Sequence, residues 1–400
     1  MQKRFVAGAL WGALFLFAAL GGAFAGEECT TAVITGEATA DRAPILWKNR
    51  DTDTLSNKVV FVNERPFSYL GLVNAEAPSG RIVWGGLNQA GFAIINSVAY
   101  NLPQRIGERE DDEGLLMANA LRTCATVDDF EAFIKKNLGP DLGAKTNFGV
   151  IDARGGAAIF EVHNHGFNRL NACDTAGKLL LNTNFSRTGT PDQGAGYLRF
   201  DREEELFAAV PAGQLSTQFI LQTAARDLGH PLVQSLPAVQ WKDLPEDKPY
   251  WIHANYTINR ISTASVVAIQ GVRPGDDPRR AVMWVILGEP VCSIAVPLWV
   301  AAGDPPAELR EGRDAPIGRE ASRLKDLLRP LKGRDRKEYV NVVRLDNRAG
   351  SGWLPANLQL ERQILQEAQA LLTGDPTNEQ LATFQKQAAA RVLARLKEIK

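Results

Sequence analysis

Cys29-Thr30-Thr31-Ala32-Val33 follows closely behind an apolar N-terminal segment. A cysteine that becomes a chain start carries its own base. An α-amino group has a pKa of about 7.7–8.0, so it is partly neutral near pH 7–8. It can accept the thiol proton, directly or through water, and later deliver it to a leaving amine. The resulting thiolate is the better nucleophile. Downstream stand Ala38-Thr39-Ala40-Asp41 and then Trp47-Lys48-Asn49-Arg50-Asp51. A second strand running back after the turn around Asp41 and Arg42 brings Lys48, Arg50 and Asp51 near Cys29. A carboxylate there can orient the amine, and the cations Lys48 and Arg50 can stabilise a thiolate.

This chemistry requires the peptide bond before Cys29 to be cut, and the N-terminus fits that requirement. Lys3 and Arg4 precede the apolar run Phe5 to Leu20, which ends in Gly21-Gly22-Ala23-Phe24-Ala25. The pattern predicts a signal peptide over 1–25 and a secreted or periplasmic mature protein. Gly8, Gly12, Gly21 and Gly22 interrupt the run, which is marginal for the ~20 apolar residues of a membrane span. No stable span is expected once the leader is cut. Glu27 and Glu28 argue against lipidation of Cys29. Residues 26–28 then form a short propeptide removed autocatalytically, unless signal cleavage itself falls later. Net charge is -1 with 45% apolar residues, which suits a soluble globular protein and gives no basic excess for nucleic acid. If Cys29 is the nucleophile, Cys124, Cys173 and Cys292 allow at most one disulfide, and three buried thiols are an equal alternative.

The elements that must position these residues alternate in blocks. Strand-like runs cover Thr30 to Ile34, Pro44 to Lys48, Lys58 to Asn63, Arg81 to Trp84 and Gly91 to Tyr100. Helical spacing follows at Leu115 to Thr123 and at Asp128 to Lys136, the latter behind a Thr126 cap. Strands return at Asn147 to Asp152, Ala157 to Val162 and Lys178 to Asn182. Helices are expected near Leu198 to Ala209 and Thr217 to Leu228, then strands at Thr263 to Ile269, Ala281 to Leu287 and Ser293 to Val300. Past Gly303 the composition shifts, and Glu320 to Arg329, Asn357 to Leu372 and Asn378 to Lys400 read as amphipathic helices. Strand blocks flanked by helix blocks predict an α+β layered architecture over 29–303, with a helical C-terminal extension at 304–400. That extension could pack on the core, make a homo-oligomer contact or cover the site.

The Cys29, Ala38 and Trp47 segments together resemble the start of N-terminal-nucleophile cysteine hydrolases. That superfamily includes choloylglycine hydrolases, penicillin V acylases and the acyl-coenzyme A:isopenicillin N acyltransferase family (peptidase C45). The last branch is the most similar. Gly86-Leu87-Asn88-Gln89-Ala90-Gly91-Phe92-Ala93 resembles its glycine hairpin, Asn147 to Ala153 with Glu161-Val162 its next strand pair, and Thr183-Asn184 its Thr-Asn element. The resemblance spans about Cys29 to Val300. It implies a four-layer αββα sandwich and a linear-amide hydrolase or acyltransferase working through a thioester. By position it implies Cys29 as nucleophile, Asp51 beside the new amine, Asn184 as oxyanion donor and Arg199 ordering the site. Val98 falls where a second oxyanion donor is expected, through its backbone N–H, with Asn96 a nearby substitute. Lys48 departs from the arginine of the bile-salt branch.

Two other readings share the pattern: a Cys-Thr-Thr type dipeptidase, and a non-catalytic exported binding protein on the same fold. An exported enzyme meets little acyl-coenzyme A, which favours water as acceptor and a small-molecule amide as substrate. No cofactor is expected. His163-Asn164-His165 lacks further ligands for a metal and reads as a hairpin turn. No G-x-S-x-G elbow or nucleotide-binding glycine loop occurs. Trp47, Phe67, Tyr69 and Tyr100 could line an acyl pocket, with core packing the default.

Overall fold

The structure is a computed structural model that describes residues 28–333 and 335–400. The expected signal segment 1–25, with Gly26 and Glu27, lies outside the described residues.

Two antiparallel sheets form the centre. One has the order β10 (Leu179–Asn182), β1 (Glu28–Ile34), β2 (Ile45–Asp51), β12 (Thr263–Gln270), β13 (Val282–Leu287) and β14 (Val296–Leu298). The other is a meander of β3 (Asn57–Val62), β4 (Tyr69–Asn74), β5 (Gly85–Asn88), β6 (Ala93–Val98), β7 (Lys145–Ile151), β8 (Ala157–His163) and β9 (Gly166–Asn171). A two-stranded ribbon joins β11 (Trp251–His253) to β15 (Tyr339–Asn341). The sheets pack face to face through β1 and β2 against β6 and β7. They approach so closely that a Cβ on Gly149 would stand 3.0 Å from Val33 and 3.2 Å from Leu46 across the interface.

Helices cover both outer faces. On the meander lie α1 (Glu113–Thr123) and α2 (Val127–Asn137), the second opened by a capping box between Thr126 and Asp129. Phe130 of α2 meets Phe148 and Phe160 edge-on at 5.5 and 5.1 Å. On the other sheet lie α3 (Tyr197–Ala208), α4 (Thr217–Gln222), α6 (Pro316–Leu328) and α8 (Asn378–Glu398), while α5 (Ala307–Arg310) packs on β3, α6 and α8, and α7 (Leu354–Thr373) packs on α4 and α8. The fold is therefore the α+β, four-layer arrangement expected. The helical C-terminal segment packs on the core: α6 against β13 and α8 against β14, with Ile364, Leu381 and Val392 in the same apolar cluster as the strands.

Several elements differ from the sequence expectation. Strands β4 and β9 were not foreseen. The run Arg81 to Trp84 is irregular, and the strand begins at Gly85. The helix expected over Thr217 to Leu228 stops at Gln222 and continues as a 3₁₀ turn at Ala224–Arg226. That turn aims Arg226 inward, where its guanidinium meets Glu361 of α7 at 2.8 Å and the Ser293 carbonyl at 3.0 Å. The strand expected over Ser293 to Val300 shrinks to Val296–Leu298 at the sheet edge, where Pro297 is tolerated.

Because β2 is buried along its whole length, its polar residues must each be paired inside the protein. The same holds for the Arg226–Glu361 pair that ties α7 to the core. Glu361→Ala leaves a buried guanidinium uncompensated and is expected to lower stability by about 3–5 kcal/mol in denaturant unfolding. A loss below about 1 kcal/mol would show that the C-terminal helices do not share the core's cooperativity.

Candidate active site

The register of the first hairpin sets the site. Strand β1 pairs antiparallel with β2 so that Glu28 faces Asp51, Cys29 faces Arg50 and Thr31 faces Lys48. Strand β10 flanks β1 on the other side and ends at Asn182, which leaves Thr183 and Asn184 beside the head of β1. Asn184 is fully buried, and its Oδ1 accepts from the Cys29 backbone N–H at 3.0 Å and from Arg199 Nη2 at 2.8 Å. Its Nδ2 donates to the Val98 carbonyl at 3.0 Å. The expected donor therefore holds the Cys29 nitrogen with its oxygen, and Val98 enters this state through its carbonyl.

Arg199 projects from the first turn of α3. Its Nη1 donates to the Cys29 carbonyl at 2.7 Å and to Thr30 Oγ1 at 2.9 Å, and its Nη2 to Glu28 Oε2 at 2.9 Å. Gly196 makes room for it. A Cβ there would stand 2.6 Å from Arg199 Nη2 and 2.9 Å from Thr183 Oγ1, and its φ of 79° lies in the left-handed region that favours glycine.

Asp51 sits on the same charge cluster. Its Oδ2 accepts from Arg260 Nε at 2.8 Å, its Oδ1 from Thr263 Oγ1 at 2.6 Å, and Arg199 Nη1 stands 4.0 Å away. Arg260 also reaches Glu28 Oε2 with Nη2 at 2.6 Å. Burial pushes the Asp51 carboxyl up against the pull of Arg260 and Arg199, and the neighbouring Glu28 charge adds to the rise. For Glu28 burial also works upward, but Arg260 and Arg199 outweigh it and hold the carboxyl below its usual range. Tyr100, whose backbone N–H donates to the Asn184 carbonyl, has its phenol pushed up to about 12 by burial and by the Glu28 and Cys29 charges.

The remaining candidates lie between the sheets. Lys48 Nζ donates to Asn96 Oδ1 at 2.6 Å and to the Trp84 carbonyl at 3.1 Å. Arg50 Nη1 donates to Asn57 and Asn74 at 3.1 and 2.8 Å, and its guanidinium lies 4.4 Å from the centre of the Trp84 ring. Thus Lys48 and Asn96 bind each other, while Arg50 is the cation directly across from Cys29. Of the aromatic candidates, Trp47 stacks on Phe207 and Tyr69 donates its hydroxyl to the Gly80 carbonyl, both as core residues. Among the described residues no group of three or more His, Cys, Asp or Glu side chains could hold a metal ion. No described helix is long and apolar enough to cross a membrane. Cys124, Cys173 and Cys292 form no disulfide. Burial pushes the Cys124 thiol up to about 11 and that of Cys292 upward as well, leaving Cys173 the exposed one.

Sequence reasoning missed Arg260 and Thr263 as members of the site, and treated Glu28 only as leader. Arg260 is a lone arginine 209 positions from Asp51, and no local pattern marks it. Thr263 was read as the start of a strand, which it is. Its register opposite Asp51, next to a bulge, gives it the hydrogen bond.

The cluster can do the following. It fixes the Cys29 nitrogen on Asn184, surrounds it with balanced buried charge, and keeps the thiol within a site where Cys29 is only 1% exposed. A cavity of about 410 Å³ touches this region at Asn57 and Thr263.

No family model matches the chain, and no curated protein matches it. Solved structures do. Two variants of the conjugated bile acid hydrolase from Clostridium perfringens are each 12% identical, with 65% of this chain and 89% of that chain covered and a TM-score of 0.38. Penicillin V acylase from Agrobacterium tumefaciens is 16% identical over 68% of this chain and 85% of that one, with a TM-score of 0.39. The Caenorhabditis elegans ortholog of N-acylethanolamine-hydrolyzing acid amidase is 15% identical over 44% and 79%, with a TM-score of 0.32. All of these likenesses are remote, at 12–16% identity.

Proposed function

We propose that this chain is an exported amide hydrolase whose nucleophile is the Cys29 thiol and whose base is the α-amino group freed when the Glu28–Cys29 bond is cut. The observation that carries the reading is the Cys29 nitrogen itself. It is bonded to Asn184 Oδ1, and Asp51, Arg260 and Thr263 form a hydrogen-bonded group beside it. A freed amine at that point keeps an acceptor that orients it and a carboxylate nearby. Loss of Glu28 also removes one of the charges that raise Asp51, which favours the ionised carboxylate beside the amine.

The reaction runs in two halves. The neutral amine takes the Sγ proton as sulfur attacks the carbonyl carbon of a linear amide, and the π electrons move to oxygen. Asn184 carries two Nδ2 hydrogens, of which one turns to this oxyanion, with the Val98 backbone N–H as second donor. On collapse the C–N bond breaks, the ammonium gives its proton to the departing nitrogen, and the acyl group remains on sulfur. Water, deprotonated by the same amine, then displaces the thiolate and releases the acid. Where an amine replaces water, the same thioester gives acyl transfer.

Processed wild type and Cys29→Ala are compared on a panel of N-acyl amides and dipeptides. Turnover of acyl amides by wild type, a trapped acyl adduct on Cys29, and no turnover by Cys29→Ala are expected. Unchanged turnover in the variant ends the proposal, and turnover of dipeptides alone favours the dipeptidase reading. In matured chains, Asn184→Ala is expected to lower kcat about 10²–10³-fold, the effect of losing one oxyanion donor. A loss under about threefold contradicts that role.

A further inference from the structure

Glu28 is the residue whose carbonyl is joined to the Cys29 nitrogen, and its side chain is held by two guanidinium groups. Oε2 accepts from Arg260 Nη2 at 2.6 Å and from Arg199 Nη2 at 2.9 Å. The arginine side chains are only 8% and 2% exposed, against 31% for Glu28, so the carboxylate marks the wetter mouth of an otherwise dry clamp. Two cations are balanced there by two anions, Glu28 and Asp51.

We propose that this clamp is the acyl-side specificity pocket of the mature enzyme, and that the substrate is a monoamide of a short dicarboxylic acid of glutaryl length. The inference rests on the processing and mechanism proposed above. In self-cleavage, Cys29 Sγ adds to the Glu28 carbonyl carbon, the bond from that carbon to the Cys29 nitrogen breaks, and the thiol proton ends on that nitrogen. The first acyl group that the sulfur carries is thus a glutamyl residue with its side-chain carboxylate in the clamp. Water then adds its hydroxyl to the carbonyl carbon, its proton returns to sulfur, and the leader departs as an acid.

Departure removes one negative charge and adds an amine. Arg199 and Arg260 are left with Asp51 alone, and a buried guanidinium without a counter-charge is unfavourable. A substrate carboxylate restores the balance. Three carbons separate the backbone carbonyl of Glu28 from its side-chain carboxylate carbon, and a glutaryl amide reproduces that separation. A neutral acyl chain of equal length fills the same space but leaves both cations without the anion. Arginine–carboxylate contacts of this kind add both strength and orientation.

Matured wild type is assayed on glutaryl-4-nitroanilide, pentanoyl-4-nitroanilide and pentanoyl-4-aminobenzoate, which carries its carboxylate on the amine side. Self-cleavage of wild type and Glu28→Gln is followed by intact mass. The glutaryl anilide is expected to show a kcat/KM roughly 10- to 100-fold above the pentanoyl anilide, the range of a charge-assisted hydrogen bond. Glu28→Gln is expected to cleave at least about tenfold more slowly, yet to give mature enzyme of wild-type activity, since the altered residue is gone. Equal or better use of either pentanoyl compound overturns the clamp while leaving the hydrolase standing. Failure of chains that begin at Cys29 to turn over any of the three overturns both.

Discussion

Two guanidinium groups buried at the head of β1 must be matched by negative charge, and the site is built around that requirement. Arg199 and Arg260 come from elements 61 positions apart, the first turn of α3 and the loop before β12. Neither could be held in the interior alone, because an unpaired buried charge destabilises a fold by several kcal/mol. Asp51 and Glu28 supply the partners, and the β1–β2 register sets those two carboxylates side by side. The charge balance thus pins three separate parts of the chain to one point, the peptide nitrogen of Cys29.

The sandwich gives that point its properties. Sheets packed on one face and helices on the other leave the strands buried on both sides, so the polar residues of β2 have no solvent to fall back on. Each is taken up by a specific partner: Lys48 by Asn96, Arg50 by Asn57 and Asn74, Asn49 by the Ala225 carbonyl, Asp51 by Arg260 and Thr263. A dry setting strengthens every one of these contacts and makes their geometry hard to change. It also suits a reaction in which a proton passes between a thiol and an amine of one residue and an anion forms on a nearby oxygen.

Much of this was legible in the sequence, for reasons that differ by residue. Cys29, Asp51 and the hairpin between them are close in the chain, so a turn near Asp41 suffices to bring them together. Asn184 and Arg199 were reachable only through the resemblance, since nothing local separates a buried asparagine from a turn residue. Arg260 was out of reach because its role depends on a register 209 positions away. Glu28 was read as a leader residue to be discarded, and only its two arginine partners give it meaning. Among the elements, the apolar β13, the capped α2 and the amphipathic α8 were plain. Strand β9, which is only partly buried, carried too little apolar alternation to be seen. The break in the helix at Thr223 follows from the inward turn of Arg226, a tertiary pairing that no local propensity encodes.

The central claim is that the base belongs to the same residue as the nucleophile and exists only after the chain is cut before Cys29. The most direct measurement follows activity and the fraction of chains beginning at Cys29, by intact mass, in the same samples as the protein matures. The account predicts that turnover rises in proportion to that fraction and extrapolates to zero at no cleavage. Full turnover in a sample whose chains all retain Glu28 would contradict it.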